Sequence, residues 1–443
     1  MSDLVFTVQP GGCLKGELRV PGDKSISHRS IMLGAIAEGE TTVEGFLEGE
    51  DSLATLQAFR DMGVSIEDVV DGRTRIKGVG LHGLSAPAAP LYLGNSGTSM
   101  RLLCGLLAAQ DFSSTLTGDE SLSGRPMGRV ADPLRNMGAN ITLREGGLAP
   151  IHIAPAKLHP LVYDMPVASA QIKSCLILAS LYTDPADGST EILEPAPCRD
   201  HTERMLRGFG YPVETDGVRI SISGGGRLTG CHIDVPSDIS SAAFFLVGAS
   251  IAEGSDILLQ HVGINPTRIG VINILQAMGA DISLENQGEA GGEPVADIRV
   301  RYAPLRGIDI PVDQVPLAID EFPALFIAAA CAEGTTVLRG AEELRVKESD
   351  RIQVMADGLD TLGVKHRVTP DGIVIEGGNG FGGGHINSHG DHRIAMAFTM
   401  AGLRAKKPVI IHDCHNVATS FPGFCDLAST AGSTLQAAEQ QED

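Results

Sequence analysis

Basic side chains that interrupt small, apolar or glycine-rich segments are the residues of this 443-residue chain that best indicate chemistry. Their segments are "VPGDKSISHRSIMLGAIAEG" (Lys24, Arg29), "GRPMGR" (Arg125), "ASAQIKS" (Lys173), "RDHTE" (Arg199), "RVKESDR" (Lys347, Arg351) and "GDHRIAM" (Arg393). A single Lys or Arg is usually solvated at the surface, but an unpaired charge within a buried segment is costly. Together these cations therefore predict a site for ligands that carry several negative charges.

The predicted helix starts supply further donors for such ligands, because the first backbone N–H groups of a helix and its dipole attract anions. Asn95, Ser96, Gly97 and Thr98 begin one predicted helix, and Ser169 begins another that carries Gln171. Neither G-x-x-x-x-G-K-[ST] nor a strand-linked G-x-G-x-x-G is present, which argues against nucleotide binding of those two types. The thirteen histidines show no HExxH or His/Cys ligand spacing, so the sequence predicts no metal site.

Two carboxylates are candidates for acid–base chemistry. Asp320 in "AIDEFPALFIAAACAEG" precedes a predicted buried helix, where it is either a helix cap, a catalyst, or both. Glu348 lies beside Lys347 and three residues before Arg351, a spacing that also suits an ion-pair network on a solvated helix face.

Composition narrows the class of protein. The net charge is −21, from 55 acidic and 34 basic residues, and aromatic residues make up 4% of the chain. Such a field repels nucleic acids and anionic membranes, and few aromatic residues are available for stacking on bases. The eight cysteines form no CxxC pair, and no apolar run is long enough to span a membrane or resembles an export signal. We expect a cytoplasmic protein with reduced cysteines.

An internal repeat organises the chain. A helix-like stretch, a glycine and a short alternating strand recur six times at nearly regular intervals, and the glycines are Gly63, Gly138, Gly210, Gly279, Gly363 and Gly432. Each glycine fits the left-handed position just after a helix. Val20, Pro21 and Gly39 align with Val235, Pro236 and Gly254 at a constant offset, so the second half begins near Val235. Helices without a charged face, such as "GTSMRLLCGLLAAQ", are expected to be buried inside the sheets, although an ordinary two-layer repeat with outer helices is the alternative.

Six motifs in this order resemble the 5-enolpyruvylshikimate-3-phosphate (EPSP) synthase family: "PGDKSISHRS", "GNSGTSMR", "RPMGR", "ASAQIKS", "RVKESDR" and "DHRIAM". The resemblance implies a fold of two inside-out α/β barrel domains, each of three βαβαββ-type repeats, joined by two crossovers. Residues 1–21 with 236–443 would form one domain and residues 22–235 the other. The active site is then expected in the cleft between them, in a monomer that hinges near Pro21 and Val235.

The family transfers the enolpyruvyl group of phosphoenolpyruvate to the 5-hydroxyl of shikimate 3-phosphate in the shikimate pathway to aromatic amino acids, without a cofactor. The resemblance implies shikimate 3-phosphate contacts at Lys24, Ser25, Arg29, Ser169, Ala170, Gln171, Arg199, Asp320 and Lys347. It implies phosphoenolpyruvate contacts at Lys24, Gly97, Arg125, Gln171, Arg351 and Arg393. Asp320 would be the base at the 5-hydroxyl, and Glu348, with Lys24 nearby, would protonate the methylene carbon.

Departures from the family pattern concern the inhibitor glyphosate. Thr419 stands where many members carry Lys, and Leu102 stands where many carry Pro, as in a divergent subgroup associated with tolerance. Gly97, however, occupies a position where tolerant enzymes can carry Ala.

Two other functions remain as alternatives, namely the sister enolpyruvyl transferase acting on UDP-N-acetylglucosamine and an inactive anion-binding protein. The absence of Cys from "SLSGRPMGR" and the presence of Asp320 and Glu348 argue against them.

Overall fold

Residues 2–441 are the part of the chain that the computed structural model describes, and within them lie thirteen α-helices. They are α1 (Lys24–Ile36), α2 (Glu50–Asp61), α3 (Gly97–Leu107), α4 (Glu120–Ser123), α5 (Gly128–Asn136), α6 (Ala170–Ser180), α7 (His201–Gly208), α8 (Ile239–Ile251), α9 (Gly270–Ala277), α10 (Phe322–Cys331), α11 (Arg351–Thr361), α12 (His392–Ala401) and α13 (Phe424–Ala431).

The chain divides into two compact units. The terminal unit comprises Met1–Pro21, Pro236–Gly288 and Pro294–Asp443, and the central unit comprises Gly22–Val235 and Glu289–Glu293. Each unit has its own hydrophobic core, with Phe245 and Phe398 among the buried residues of the terminal unit and Phe59 and Leu103 among those of the central unit.

The glycine repeat predicted from the sequence is confirmed. Helices α2, α5, α7, α9, α11 and α13 are each followed within two residues by one of the six repeat glycines. All six glycines have a positive φ, from 76° at Gly363 to 117° at Gly432. A side chain in this backbone conformation is strained, so the glycines end each helix and release the chain into a strand.

One sheet pattern recurs in both units: two parallel strands followed by two antiparallel ones. In the central unit, all of whose residues are described, the sheets in hydrogen-bonded order are Val162–Asp164, Thr190–Leu193, Arg219–Ile222, Glu214–Asp216; His232–Asp234, Glu38–Glu44, Thr74–Val79, Ser65–Ile66; and Leu91–Tyr92, Ser114–Thr117, Leu148–Ala154, Asn140–Arg144. In the described part of the terminal unit they are Gly384–Asn387, Val409–His412, Ser2–Val8, Leu435–Gln441; Lys15–Leu18, Asp256–Gly263, Glu293–Arg301, Asp281–Ala290; and Thr335–Leu338, Gly372–Glu376, Lys365–Thr369. The last sheet has an isolated parallel bridge between Asp309 and Val337 where the others have a fourth strand.

Six of the thirteen helices are buried, as their apolar composition predicts. All thirteen residues of α8 are buried, and α1, α3, α6, α10 and α12 are buried over most of their length. Burial removes their apolar side chains from water on every side, which is the main favourable contribution to folding. The charged side chains of these helices lie in their first two turns, and this arrangement places the candidate site near helix N-termini.

Candidate active site

The N-terminus of α1 holds two of the predicted cations. Asp23 caps the helix by accepting a hydrogen bond from the Ile26 backbone N–H, and the Lys24 ammonium pairs with the Asp51 carboxylate. Arg29, one turn further on, is 4% exposed and donates to Thr202 Oγ1 at 2.7 Å, to Ser174 Oγ at 2.8 Å and to the Ser25 carbonyl at 2.9 Å. Burial lowers the pKa of Arg29 to about 10, so the guanidinium stays charged near neutral pH.

A second group surrounds the start of α3, which Ser96 caps. A Cβ atom added at Gly97 would lie 3.2 Å from Arg125 Nη1 and 3.4 Å from Arg101 Nη1. Arg125 is held by the Asn95 side chain and carbonyl, while Arg101 donates to the Gln171 side-chain oxygen. Two guanidinium groups therefore meet the N-terminus of a buried helix where glycine leaves room, an arrangement suited to a carboxylate or phosphate.

The start of α6 brings together Ser169, Ala170 and Gln171. Ser169 caps the helix, and the Gln171 side-chain N–H₂ donates to Thr98 Oγ1 at 3.1 Å, which links α6 to α3. Arg199 is only partly buried and lies close enough to Arg29 to lower its pKa further.

Lys173, one of the cations that the sequence analysis grouped with the site, is 1% exposed and fully paired. Its Nζ lies 3.0 Å from Glu194 and 2.8 Å from Glu203, and it donates to the Cys198 carbonyl. Burial alone lowers the pKa of Lys173, but the carboxylates of Glu203 and Glu194 outweigh it and raise the pKa above its ordinary value. Lys173 therefore holds the segment before Arg199 in place.

The terminal unit contains a separate group of charged residues around Asp320. Asp320 Oδ1 lies 3.2 Å from Lys347 Nζ and 3.3 Å from Arg351 Nη1. The residue at the N-cap of α10 is Glu321, so Asp320 is not the helix cap that the sequence left open. Its carboxylate instead faces two cations.

Glu348 also contacts Arg351, through Oε2 at 2.5 Å from Nη2. Arg351 is 1% exposed, so this pair does not lie on a solvated helix face, and Glu348 itself precedes the first residue of α11. Burial lowers the pKa of Arg351, but Asp391, Glu348 and Asp320 together outweigh it and raise the pKa above its ordinary value.

Arg393 lies in the first turn of α12 and completes the group. Its Nη1 donates to the Asp320 carbonyl at 2.9 Å and lies 3.6 Å from Glu321 Oε1. Thr419 is the residue that the sequence analysis noted as a departure from the Lys of the family pattern. It is buried and donates to the Asn416 carbonyl at 2.7 Å.

Three residues that the sequence analysis did not select join these groups: Asp51, Arg101 and Asp391. Asp391 is fully buried, caps α12, and accepts from Arg351 Nε at 2.8 Å and from Ser349 Oγ at 3.0 Å. Burial raises the pKa of Asp391, but the neighbouring Arg351 outweighs it and holds the pKa below its ordinary value. A carboxylate directly before a cationic helix start, as in "GDHRIAM", is the signal that could have identified it.

No cluster of three or more His, Cys, Asp or Glu side chains suited to a metal ion occurs among residues 2–441. In the same described region, none of the helices is both long and apolar enough to cross a membrane. Each unit thus carries cationic side chains near helix N-termini with acidic side chains held among them, an arrangement suited to small, multiply charged anions.

Comparison with known proteins agrees with this class and narrows it. The sequence model of the family described as EPSP synthase (3-phosphoshikimate 1-carboxyvinyltransferase) matches residues 8–427. The 3-phosphoshikimate 1-carboxyvinyltransferase of Alkalilimnicola ehrlichii is 67% identical over 97% of this chain and 96% of its own, and that of Methylococcus capsulatus is 66% identical over 98% and 99%. This chain belongs to the EPSP synthase family.

Solved structures support the same assignment. The EPSP synthase of Acinetobacter baumannii is 60% identical and superposes with a TM-score of 0.88 over 98% of this chain and 100% of its own. The enolpyruvyl transferase NikO from Streptomyces tendae shares only 17% identity, with a TM-score of 0.80 over 100% of both chains, and so shows the fold alone. The mixed α/β fold expected from the repeat is confirmed.

Proposed function

We propose that the two groups of charged side chains carry out the reaction of this family. The chain is a transferase that moves the enolpyruvyl group of phosphoenolpyruvate to the 5-hydroxyl of shikimate 3-phosphate and releases phosphate, a step in aromatic amino acid biosynthesis. The observation that carries the site proposal is the Asp320 carboxylate, held between Lys347 and Arg351 instead of capping a helix.

The shikimate 3-phosphate contacts are assigned mainly to the central unit. Arg29 and Ser25 bind the carboxylate of that substrate, and Ser169, Ala170 and Arg199 bind its phosphate together with Lys347. The buried, already positioned guanidinium of Arg29 supports this role, because a preorganised donor loses little conformational freedom when it binds an anion.

Phosphoenolpyruvate binds to a second set of residues, most of which are cationic. Lys24, Gly97, Arg125 and Gln171 contribute from the central unit, and Arg351 and Arg393 from the terminal unit. The close approach of two guanidinium groups to Gly97, where a Cβ atom would crowd Arg125, supports the assignment, because a dianionic phosphate requires close approach to several donors.

In the proposed mechanism, Asp320 accepts the proton of the 5-hydroxyl as the oxygen attacks C2 of phosphoenolpyruvate. Glu348, with Lys24 nearby, donates a proton to C3, and the product is a tetrahedral intermediate. Glu348 then takes a proton back from C3, the C2–C3 double bond reforms, and the C2–O bond to phosphate breaks. The leaving phosphate takes up the proton that Asp320 accepted, which restores the base. Cations around both carboxylates stabilise the developing negative charge, so the steps depend on positioning and electrostatics.

Several further properties belong to the same proposal. Six sheets around buried helices support two inside-out α/β barrels, one per unit. The acidic surface supports a cytoplasmic monomer that acts on small molecules and binds neither nucleic acid nor membranes. The mechanism assigns no step to a metal or an organic cofactor.

Asp320→Asn tests the base assignment. Asparagine keeps the size of the side chain but accepts no proton at neutral pH, so turnover should fall by about 10² to 10⁴-fold. Steady-state phosphate release gives the turnover, and calorimetry gives the affinity for shikimate 3-phosphate, which should remain within a few-fold of the parent. The matched control is Asp357→Asn, which neutralises an exposed carboxylate on α11. If folded Asp320→Asn turned over like the control, Asp320 would not be the base.

A further inference from the structure

Glu321, the residue after Asp320, is a buried carboxylate that the mechanism above does not use. It is 2% exposed and occupies the N-cap position of α10, but its side chain makes no capping hydrogen bond. A carboxylate buried to this degree is costly unless it is paired and hydrogen-bonded. Its partners therefore indicate why it is there.

The partners of Glu321 form a chain of alternating charges inside the terminal unit. Glu321 Oε1 accepts a hydrogen bond from Ser240 Oγ and lies 3.6 Å from Arg393 Nη1. Ser240, in the first turn of α8, also accepts from Arg268 Nη2 at 2.5 Å, and the same Nη2 donates to Asp238 Oδ1 at 3.1 Å. Two anions thus alternate with two cations along one buried path that ends at Arg393.

These contacts hold Arg393 through a single nitrogen, Nη1. Nη1 approaches Glu321 and donates to the Asp320 carbonyl at 2.9 Å, whereas Nε and Nη2 have no hydrogen-bond partner within residues 2–441. The side chain is 12% exposed. An arginine fixed at one Nη keeps its other N–H groups for bidentate binding of a carboxylate or phosphate, with less loss of conformational freedom than a mobile side chain.

We propose that Glu321 is a positioning residue for phosphoenolpyruvate binding: its buried carboxylate, anchored by Ser240, which in turn accepts from Arg268, orients Arg393 so that its remaining N–H groups engage the substrate anion. This inference rests on the proposed role of Arg393 in that site. Glu321 touches neither substrate, and its effect passes entirely through the guanidinium.

The test is Glu321→Gln, with the Michaelis constants of both substrates measured separately. Glutamine keeps the side-chain length and can still accept from Ser240, but it loses the charge that attracts Arg393. The KM for phosphoenolpyruvate should rise by about 3- to 30-fold, the range expected for a weakened charge-assisted contact. Turnover at saturation and the calorimetric affinity for shikimate 3-phosphate should change by a smaller factor than the KM for phosphoenolpyruvate. Both depend less on the orientation of Arg393 than phosphoenolpyruvate binding does. The matched control is Glu333→Gln, which removes an exposed carboxylate just beyond the other end of α10.

Arg393→Lys separates the two levels of the proposal, because lysine keeps the charge but loses the planar fork. If Arg393→Lys raises the KM for phosphoenolpyruvate and Glu321→Gln does not, the positioning role is wrong while the site assignment stands. If neither variant changes that KM, Arg393 does not bind the substrate and both proposals fail. A lower KM for phosphoenolpyruvate in Glu321→Gln would show that the carboxylate competes with the substrate. An equal rise in the KM values for phosphoenolpyruvate and shikimate 3-phosphate would show a merely structural role. Either result overturns the inference.

Ser240→Ala provides the same test without altering any charge. It removes the hydroxyl that anchors Glu321, and the KM for phosphoenolpyruvate should rise in the same direction by about 2- to 5-fold. Should Glu321→Gln fail to fold, this variant decides: an unchanged KM for phosphoenolpyruvate would overturn the inference.

Discussion

Among single residues, Glu348 shows how burial changes the meaning of a sequence motif. "RVKESDR" has the spacing of an ion-pair network on an exposed helix, which contributes only a few tenths of a kcal/mol per pair. In the structure, Glu348 contacts an arginine that is 1% exposed and that also contacts Asp320 and Asp391. The motif therefore belongs to a buried charged group, and its carboxylates carry the proposed chemistry.

Glu348→Gln should slow the exchange of solvent deuterium into the methylene carbon of phosphoenolpyruvate. Glutamine cannot donate or accept the proton at C3, and the loss should be about 10² to 10⁴-fold. NMR of phosphoenolpyruvate in deuterated buffer, with enzyme and shikimate 3-phosphate present, measures this exchange. Glu342→Gln, an exposed carboxylate nearby in the chain, serves as control. Exchange at the parent rate in folded Glu348→Gln would remove Glu348 from the mechanism.

The choice of partner for each charged side chain was beyond sequence reasoning. Lys24, Arg29 and Arg393 were identified because a cation in an apolar or glycine-rich segment is costly to bury. Asp51 and Asp391 come from parts of the chain distant from Lys24 and Arg351, and no local spacing predicts that these residues pair. The same local signal groups Lys173 with the ligand site, yet its ammonium group is already paired with two carboxylates.

Among helices and strands, the sequence was most informative where a single residue has a strict backbone requirement. The six repeat glycines all adopt positive φ, which few other residues tolerate, so their spacing revealed the helix ends directly. Burial of α3, α6 and α10 was predicted because none of them has a charged face. The pairing of strands across each sheet joins segments far apart in sequence, and it became evident only in the structure.

Helix α1 carries a buried histidine that predicts a pH dependence of stability. His28 Nδ1 lies 2.8 Å from Thr55 Oγ1, and Nε2 is buried without a hydrogen-bond partner within the described residues. Burial, with the nearby charges of Lys24 and Arg29, holds the pKa of His28 well below its ordinary value of 6.5. Below pH 6.5 the unfolded chain thus binds a proton here that the folded chain does not, so the free energy of unfolding falls as the pH falls.

His28→Gln should therefore weaken this pH dependence. Between pH 7.5 and 5.5 the parent should lose about 1.4 kcal/mol more unfolding free energy than the variant, the amount for one proton over the unit below pH 6.5. Urea denaturation at the two pH values measures the difference. His159→Gln, at an exposed histidine, should behave like the parent. An equal pH dependence in parent and His28→Gln would mean that His28 is protonated in the folded protein.

For the whole molecule, the repeated sheet pattern and the two separate cores account for the division into two units. One aligned segment predicts that the second half begins near Val235, and in the structure the terminal unit continues from Pro236. The assignment of Glu289–Glu293 to the central unit was not foreseen, because it depends on contacts such as His201 Nδ1 with Glu293 Oε1 at 2.7 Å. Neither residue is distinguished by its local sequence.

The central claim is that the cations of both units are arranged for phosphoenolpyruvate and shikimate 3-phosphate. Phosphate release from phosphoenolpyruvate, measured with either shikimate 3-phosphate or UDP-N-acetylglucosamine as acceptor, tests it most directly. Release should occur with shikimate 3-phosphate and be absent with the nucleotide sugar, because Arg29 and Lys347 are proposed to bind the carboxylate and the phosphate of shikimate 3-phosphate and "SLSGRPMGR" contains no cysteine. Release with the nucleotide sugar alone, or with neither acceptor, would contradict the account.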